Sequence, residues 1–433
     1  MILQVTLQGR QAEIEIEEIK AHAVIIIKKA QFKLVPFFIY ISLILTGCAP
    51  SARIQPERDD TLKLQEISSE DLLVISKNTE RWFENRNLLF ADKDLQKYLN
   101  EVLDRLITPH EKERYNLNVK ILRNHTINAF GYPHGTIFIT ISLLTKLNNE
   151  AQLAAVLSHE LIHVVNSHAE KNLEKLKERS KIETQLHPDI AIFFGEETAS
   201  ENSAGIVLNA ALRGYSRELE READSLGIFR MAEGGYPHEE FLSLLLLLRD
   251  HVISENITEQ SFFNSHPRIT ERIRNYHRIV KDNSFHELSV CSDCDVFKER
   301  IKKAVYDNVR VNISAGRYDE AENQIEKFLA VDSCDTEALT LHGDFERSLS
   351  PKSTQLLIWY KRALECDSSN ITALRSIGFS YYAIGDFQNA HEYLSRYCEI
   401  AESAADIGTV RLMMRRCEEQ LKQKDNMRGE VSP

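Results

Sequence analysis

The sequence predicts a mainly α-helical protein, in which a helical domain with a small β-sheet precedes a stack of paired helices. Residues 151–181 contain neither glycine nor proline, which favours helix. Isoleucines alternate at Ile137, Ile139 and Ile141, and this spacing of two is typical of a β-strand. After residue 300 another pattern recurs about every 34 residues, which is typical of stacked helical pairs.

The predicted helix over residues 151–181 contains an H-E-x-x-H motif at residues 159–163, and Asn149 precedes it as an N-cap candidate. Residues four apart share one helix face, so His159 and His163 can bind the same metal ion. Glu160 lies beside them, where it can take a proton from water. The alternative is two histidines that lie four apart by chance on a partly buried helix.

A second helical segment offers a third metal ligand. Glu220 and Asp224 are also four apart, so one carboxylate can bind the metal while the other hydrogen-bonds a ligand histidine. Two histidines, a carboxylate and an open position form the layout of a catalytic zinc site. A charged, solvated helix face would explain the same residues equally well.

The strand that contains Ile137 and Ile139 follows a loop with the sequence Asn128-Ala129-Phe130. An extended peptide can add to the edge of a β-sheet, so these three residues are candidates for a substrate-binding edge. An ordinary core strand would explain the pattern nearly as well.

The order of three motifs resembles a known family. N-A-F…P-x-G, H-E-x-x-H-x-x-x-x-H and Y-S-R-x-x-E-x-x-A-D follow one another within residues 70–280. This order resembles the HtpX and CAAX-prenyl-protease-like family of zinc metallopeptidases, which are gluzincins. More narrowly, it is similar to the periplasmic branch of that family, which carries tetratricopeptide repeats.

The resemblance implies a helical zincin-type metallopeptidase domain that binds one Zn²⁺ per chain. The zinc ligands would be His159, His163 and Glu220. Glu160 would be the general base, and Asp224 would support catalysis. Polypeptides would be the substrates.

Two further histidines have open roles. His168 lies five residues past His163, and we interpret it as a hydrogen-bonding residue rather than a ligand. His266 precedes a proline, and it could be a fourth ligand, an oxyanion contact or a helix-capping residue. The chain departs from the family pattern at His134 and Ser142, where glycine is usual, and at Ser167, where arginine is common.

The amino-terminal region predicts export. Lysines at 28, 29 and 33 precede an apolar run that ends before Cys48, as in a bacterial lipoprotein signal peptide over residues 1–47. Cys48 would carry the lipid, and the following alanine favours the outer membrane, facing the periplasm. The acidic residues near the start fit this pattern poorly, which suggests that translation begins later than Met1. A tether over residues 48–69 would follow.

Charge and cysteine content limit the partners and the compartment. A net charge of −12 gives no electrostatic attraction to nucleic acid, so attachment to a membrane would depend on the lipid. Six cysteines besides Cys48 could form disulfides in an oxidising compartment. Cys291 and Cys294 could pair locally, as a structural or a redox-active disulfide. Cysteines 334, 366 and 398 recur every 32 residues and could instead be small buried residues at helix ends.

These patterns divide the chain. We predict a metallopeptidase domain over residues 70–281, a linker with the C-x-x-C sequence over 282–300, tetratricopeptide-like repeats over 301–425 and a tail over 426–433. A mobile insertion is predicted over 185–214.

The function predicted from this organisation is a lipid-anchored periplasmic zinc endopeptidase for misfolded or misassembled envelope proteins. Its repeats would bind substrates or the outer-membrane assembly machinery. The alternative is a chaperone or assembly scaffold for outer-membrane proteins with a latent or minor protease activity.

Overall fold

The structure, a computed structural model, describes residues 67–180, 211–212, 214–254, 269–285 and 294–429. These residues belong to one compact unit, Leu62–Pro433. Among the described helices, none combines the length and apolar composition that crossing a bilayer requires.

The amino-terminal half contains nine helices, among the described residues, around a three-stranded sheet. In chain order the elements are α1 (Ser69–Asn85), α2 (Lys93–Asp104), α3 (Pro109–Arg114), β1 (Asn118–Leu122), β2 (Ala129–Gly131), β3 (Thr136–Thr140), α4 (Ile141–Leu144), α5 (Glu150–Val165), α6 (His168–Ser180), α7 (Arg217–Glu233), α8 (Glu239–Ser254) and α9 (Ile269–Asp282). This mostly helical architecture with a small sheet confirms that part of the predicted fold class.

Strand β3 is the centre of the sheet, whose order is β1-β3-β2. It pairs in parallel with β1 and antiparallel with β2. Every residue of β3 is buried, so it packs on both faces. Ile141, predicted as strand, instead begins helix α4, because Thr140 caps that helix by accepting a hydrogen bond from the Leu143 amide.

Helix α5 carries the H-E-x-x-H motif and is central to the core. Its residues 151–164 are all buried, and α7, α8 and β2 pack against it. The helix ends at Val165, although the sequence predicts uninterrupted helix to Lys181. Ser167 has a left-handed backbone with φ of 53°, which breaks the helix and redirects the chain into α6.

The described residues 294–429 form seven further helices, and each packs against the next along the chain. They are α10 (Cys294–Ser314), α11 (Tyr318–Val331), α12 (Thr336–Leu349), α13 (Leu356–Cys366), α14 (Ile371–Ala383), α15 (Phe387–Ile400) and α16 (Ile407–Gly429). Gly343 lies against the ring of Tyr360, and Gly378 lies against Leu394, where any side chain would clash. Glycine therefore permits the close approach of these paired helices.

Helix α10 begins inside the segment predicted as a linker and joins the core of the amino-terminal half. Phe297, Ile301 and Ala304 are buried in the same hydrophobic cluster as the apolar residues of α5. Arg123 donates to both carboxylate oxygens of Asp307 at 2.7 and 3.1 Å. The boundary predicted at residue 301 therefore falls within a helix that both halves share.

Helix α10 also provides a hydrogen-bond partner for Ser142, which stands where the family pattern has glycine. Its hydroxyl donates to the side-chain oxygen of Asn308 over 2.7 Å, and the Asn308 amide group donates to Thr145 over 3.0 Å. Both contacts connect α10 to the segment between the sheet and the metal-motif helix.

Two cysteines with the 32-residue spacing form a disulfide, Cys334–Cys366. Both are exposed, so the interpretation as buried small residues is wrong for this pair. The bond joins the turn after α11 to the end of α13. Cys398 is half-buried and free, and Cys417 is buried and free.

The buried residue His251 is expected to make the stability of the protein depend on pH. Burial, together with the positive charges of Lys146 and Arg317, lowers the pKa of His251 from about 6.5 to about 4. Between these values the folded protein binds fewer protons than the unfolded chain. We therefore expect the contribution of His251 to the free energy of unfolding to be complete above pH ~6.5. This contribution should decrease as the pH is lowered towards ~4.

Urea unfolding at about pH 7.5 and about pH 5 tests this dependence. His251→Gln should lose less free energy of unfolding between the two pH values than the wild type. His277→Gln, at an exposed position of α9, should lose as much as the wild type. Equal losses in all three proteins would show that His251 does not contribute.

Candidate metal centre

Local sequence fixes the position of helix α5. The Asn149 side chain accepts a hydrogen bond from the backbone amide of Gln152 over 2.8 Å, as the N-cap prediction requires. Glu240, on α8, accepts from the side chains of Asn149 and Gln152 at 3.1 and 2.9 Å. His159 and His163 lie on one face and are buried, as is Glu160.

Helix α7 brings the two predicted carboxylates to that face. Glu220 and Asp224 are buried, which excludes the solvated-face interpretation for this pair. Gly227 permits the approach, because a Cβ there would lie 3.3 Å from the His159 backbone nitrogen and from the Ser158 hydroxyl. A side chain at this position would require a small shift of α5 or α7.

The side chains of His159, His163 and Glu220 converge. The two Nε2 atoms are 3.1 Å apart, and the Glu220 carboxylate oxygens lie 3.7 Å from His159 Nε2 and 3.5 Å from His163 Nε2. One donor atom from each residue lies within 4.8 Å of the other two. Two imidazole nitrogens and one carboxylate oxygen at these separations can bind a single divalent ion.

The second nitrogen of His159 faces Asp224. The distance from Nδ1 to the nearer Asp224 oxygen is 3.0 Å. If Nε2 binds a metal, Nδ1 carries the proton and donates it to this carboxylate, which fixes the ring. Arg272, on α9, contacts the same carboxylate and lies 3.2 Å from His159 Nδ1.

The second nitrogen of His163 faces His168. Their Nδ1 atoms are 2.9 Å apart, and Nε2 of His168 lies 3.5 Å from Glu222. Burial lowers the pKa of His168, which favours the neutral imidazole whose Nδ1 can accept a hydrogen bond from His163 Nδ1. His168 thus lies on the far side of His163 from the converging donor atoms. The Tyr215 ring stacks on His163, with centroids 4.2 Å apart.

The candidate substrate edge lies beside the metal-motif helix. Ala129 and Phe130 belong to β2, a lateral strand of the sheet, and Asn128 precedes it. Gly131, the last residue of β2, lies against Val164 and the Glu160 carbonyl oxygen. The absence of a side chain at Gly131 lets this strand run next to the motif.

His134 connects the hairpin turn between β2 and β3 to helix α1. Its Nδ1 lies 2.8 Å from the Ser76 hydroxyl, and its Nε2 contacts Glu80 and Thr136. Burial raises the pKa of Glu80, but hydrogen bonds from His134, Lys120 and Thr136 outweigh it and lower the pKa to about 2. His134, which stands where the family usually has glycine, therefore connects the turn after the candidate substrate edge to α1.

Several predicted features lie outside the described residues. These are Cys48, His266, the signal peptide over residues 1–47, Cys291 and nearly all of the insertion predicted over 185–214.

Comparison with known proteins agrees with this geometry. Residues 90–280, which include α2–α8, β1–β3 and most of α9, match the model of peptidase family M48. Residues 90–280 are a peptidase family M48 domain. This membership confirms the family resemblance found in the motifs, and the His-His-Glu cluster is a candidate metal site of that domain.

The proteins similar to this chain include bacterial proteases and a mitochondrial protease of yeast. The beta-barrel assembly-enhancing protease of Escherichia coli is 22% identical over 345 residues, which cover 71% of this chain and 69% of that protein. The mitochondrial metalloendopeptidase OMA1 of Saccharomyces cerevisiae is 29% identical over 170 residues, covering 38% of this chain and 47% of the relative. The Yersinia pestis beta-barrel assembly-enhancing protease is 26% identical over 167 residues, covering 37% and 34%. The chain thus spans about half of the yeast relative and a third of the Yersinia one.

The sequence alone predicts no individual role for three contributors to the M48 site, which are Arg272, Tyr215 and Glu222. Arg272 follows the segment Ser265-His266-Pro267-Arg268, which also resembles a recurrent segment of the family, but no spacing rule connects α9 to Asp224. The stacking of Tyr215 on His163 and the contact of Glu222 with His168 depend on how α6 and α7 pack. Gly227 was the one available signal, since glycine within a helix often marks a close contact between helices.

Proposed function

We propose that this protein is a lipid-anchored periplasmic zinc metalloendopeptidase that cleaves misfolded or misassembled envelope proteins. The observation that carries the proposal is the convergence of His159, His163 and Glu220, with Glu160 buried beside them, inside an M48 domain. The donor set fits zinc, which prefers imidazole nitrogen and carboxylate oxygen in catalytic sites.

In this proposal His159, His163 and Glu220 hold one Zn²⁺. When bound, the ion would polarise the substrate carbonyl and make the attacking water more acidic. Asp224 holds His159 in the tautomer that leaves Nε2 available, and His168 does the same for His163. These two contacts fix both rings before a metal arrives.

Glu160 is the proposed general base. It adjoins His159 on α5, and burial of its carboxylate excludes bulk water from the proton transfer. Glu160 takes a proton from the attacking water and later donates it to the leaving amide nitrogen, which regenerates the carboxylate.

The substrate would bind as an extended peptide along the edge that Asn128, Ala129 and Phe130 form. Backbone hydrogen bonds dominate binding of this kind, so many sequences can be accepted. Such tolerance suits an enzyme that acts on unfolded polypeptides.

The proposed compartment is the periplasm, with Cys48 lipidated at the outer membrane. The exposed disulfide Cys334–Cys366 supports an oxidising compartment, because exposed disulfides are reduced in the cytosol. The lipoprotein signal predicted over residues 1–47 supports export.

The helices from α11 onwards are the proposed tetratricopeptide-like repeats, and they would bind substrates or partners. The close approaches at Gly343 and Gly378 support this repeat type. The match to the Escherichia coli protease covers 71% of this chain and therefore extends beyond the M48 domain. That relative's name suggests the outer-membrane assembly machinery as a partner.

Cleavage of an unfolded β-barrel outer-membrane protein tests the proposal. The purified full-length protein should degrade it, lose the activity on treatment with a chelator and regain it when one equivalent of Zn²⁺ is added. Zinc binding without cleavage would favour the rival function, a chaperone or assembly scaffold with a latent site. Absence of zinc binding would contradict both the metal centre and the enzyme.

A further inference from the structure

Arg272 is a buried cation in direct contact with the carboxylate that orients a proposed zinc ligand. Its Nε lies 3.0 and 3.1 Å from the two Asp224 oxygens, and its Nη2 lies 2.7 Å from one of them. Its side chain is 8% exposed and that of Asp224 is 1% exposed. A guanidinium has five fixed donors and no acceptor, so this fork holds the carboxylate in one orientation.

The donors and acceptors of the two side chains determine how Arg272 acts on His159. Nε2 of His159 faces His163 and Glu220, so Nδ1 must carry the proton when Nε2 binds a metal. Arg272 cannot accept that proton, although its Nη2 is 3.2 Å from Nδ1. The proton therefore goes to Asp224, and Arg272 influences His159 through this carboxylate.

Charge gives Arg272 a second role. Glu160, Glu220 and Asp224 are all buried around the site. If they are ionised, these three carboxylates and the Arg272 guanidinium leave two negative charges, which one divalent cation neutralises. Without Arg272, even the metal-loaded site would keep a buried negative charge, which is unfavourable in a medium of low polarity.

We propose that Arg272 is a positioning residue of the metal centre: it fixes Asp224 so that His159 presents Nε2, and it makes the site neutral with one divalent ion. This inference rests on the proposed metal site and assigns a function to a residue outside the three family motifs. It also explains why α9 packs against α7, which supplies Asp224.

The test compares Arg272→Gln with Arg274→Gln in the full-length protein. Both arginines are on α9, but Arg274 is exposed. The affinity for Zn²⁺ is measured by competition with a chelator, and the ligand field is measured from the visible spectrum of the Co²⁺-loaded protein. Arg272→Gln should weaken Zn²⁺ binding by about 10- to 100-fold and shift the Co²⁺ bands. Arg274→Gln should match the wild type in both measurements.

A double variant separates action through Asp224 from a general loss of structure. Removing Arg272 alone leaves Asp224 buried without its charge partner, which destabilises the fold. Asp224→Asn combined with Arg272→Gln leaves no such charge. If Arg272 acts through Asp224, the double variant should bind Zn²⁺ as Asp224→Asn alone does.

Two results would overturn the inference. One is Zn²⁺ affinity within threefold of wild type, with unchanged Co²⁺ bands, in Arg272→Gln. The other is a double variant that binds about tenfold or more weakly than Asp224→Asn. If Arg272→Gln does not fold, the comparison of the double variant with Asp224→Asn decides. Failure of the wild type to bind Zn²⁺ would instead contradict the proposed function.

Discussion

Replacing Glu160 by glutamine is expected to abolish peptide-bond cleavage while Zn²⁺ binding is retained. The amide has nearly the same shape as the carboxylate, so the contacts of α5 should survive. It cannot take a proton from water, and general base catalysis typically contributes about 100- to 10,000-fold in rate. The measurement is kcat/KM on an unfolded outer-membrane protein, together with the zinc content of each protein.

Glu174→Gln is the matched control, because Glu174 is an exposed glutamate on the neighbouring helix α6. It should cleave like the wild type. Glu160→Gln protein that still cleaved within tenfold of wild type would show that another group is the base. Loss of zinc together with activity would mean that Glu160 is needed to build the site rather than to transfer protons.

The sequence predicted much of this site because local periodicity carried the information. His159 and His163 need only one helix, and Glu220 and Asp224 need only another. The burial of all four follows from the way these two helices face each other. A four-residue spacing therefore placed each pair of candidate residues on one helix face before the packing of the two helices was known.

Features that depend on one backbone angle, or on contacts between residues far apart in the chain, could not be predicted from the sequence. The left-handed residue Ser167 looks like an ordinary polar helix residue, yet it ends α5 and turns His168 back to His163. Arg272 reaches Asp224 across 48 positions of the chain. Neither contact has a periodicity that a linear pattern could reveal.

The predicted boundary at residue 301 falls inside helix α10 for a related reason. A change of periodicity indicates where repeats begin, but it does not show which core a helix joins. Helix α10 has Phe297, Ile301 and Ala304 in the core of the amino-terminal half, while Val309 belongs to the cluster shared with α11. A single helix thus belongs to two hydrophobic cores.

This shared helix predicts opposite outcomes for two truncations. A chain that ends at Arg300 should lose the fold of the M48 domain, whereas a chain that ends at Gly316 should keep it. The shorter chain removes Ile301 and Ala304 from the core, and one large buried aliphatic side chain contributes roughly 1.5–3 kcal/mol. It also removes Asp307 and its bidentate contact with Arg123. Such losses are large against a typical stability of about 5–15 kcal/mol.

The longer chain should bind Zn²⁺ and cleave a short unstructured peptide at a rate similar to that of the full-length protein. Gly316 is a suitable end point, because its φ of 71° marks the turn between α10 and α11. Cleavage of a large unfolded protein by this chain should be slower if the helices from α11 onwards bind substrates. Thermal unfolding, zinc content and the two cleavage rates, measured on both truncated chains, separate folding from substrate binding.

Equal behaviour of the two truncations would contradict the shared core. If both fold and cleave the peptide, α10 adds little to the M48 domain, and the boundary lies before residue 301 as the sequence suggested. If neither folds, the later helices are themselves needed for stability. If only the longer chain folds, the helices from α11 onwards are attached through a helix that also supports the segment from Ser142 to Thr145. That segment leads directly into α5, so the proposed repeats would then hold a fixed position relative to the metal-motif helix.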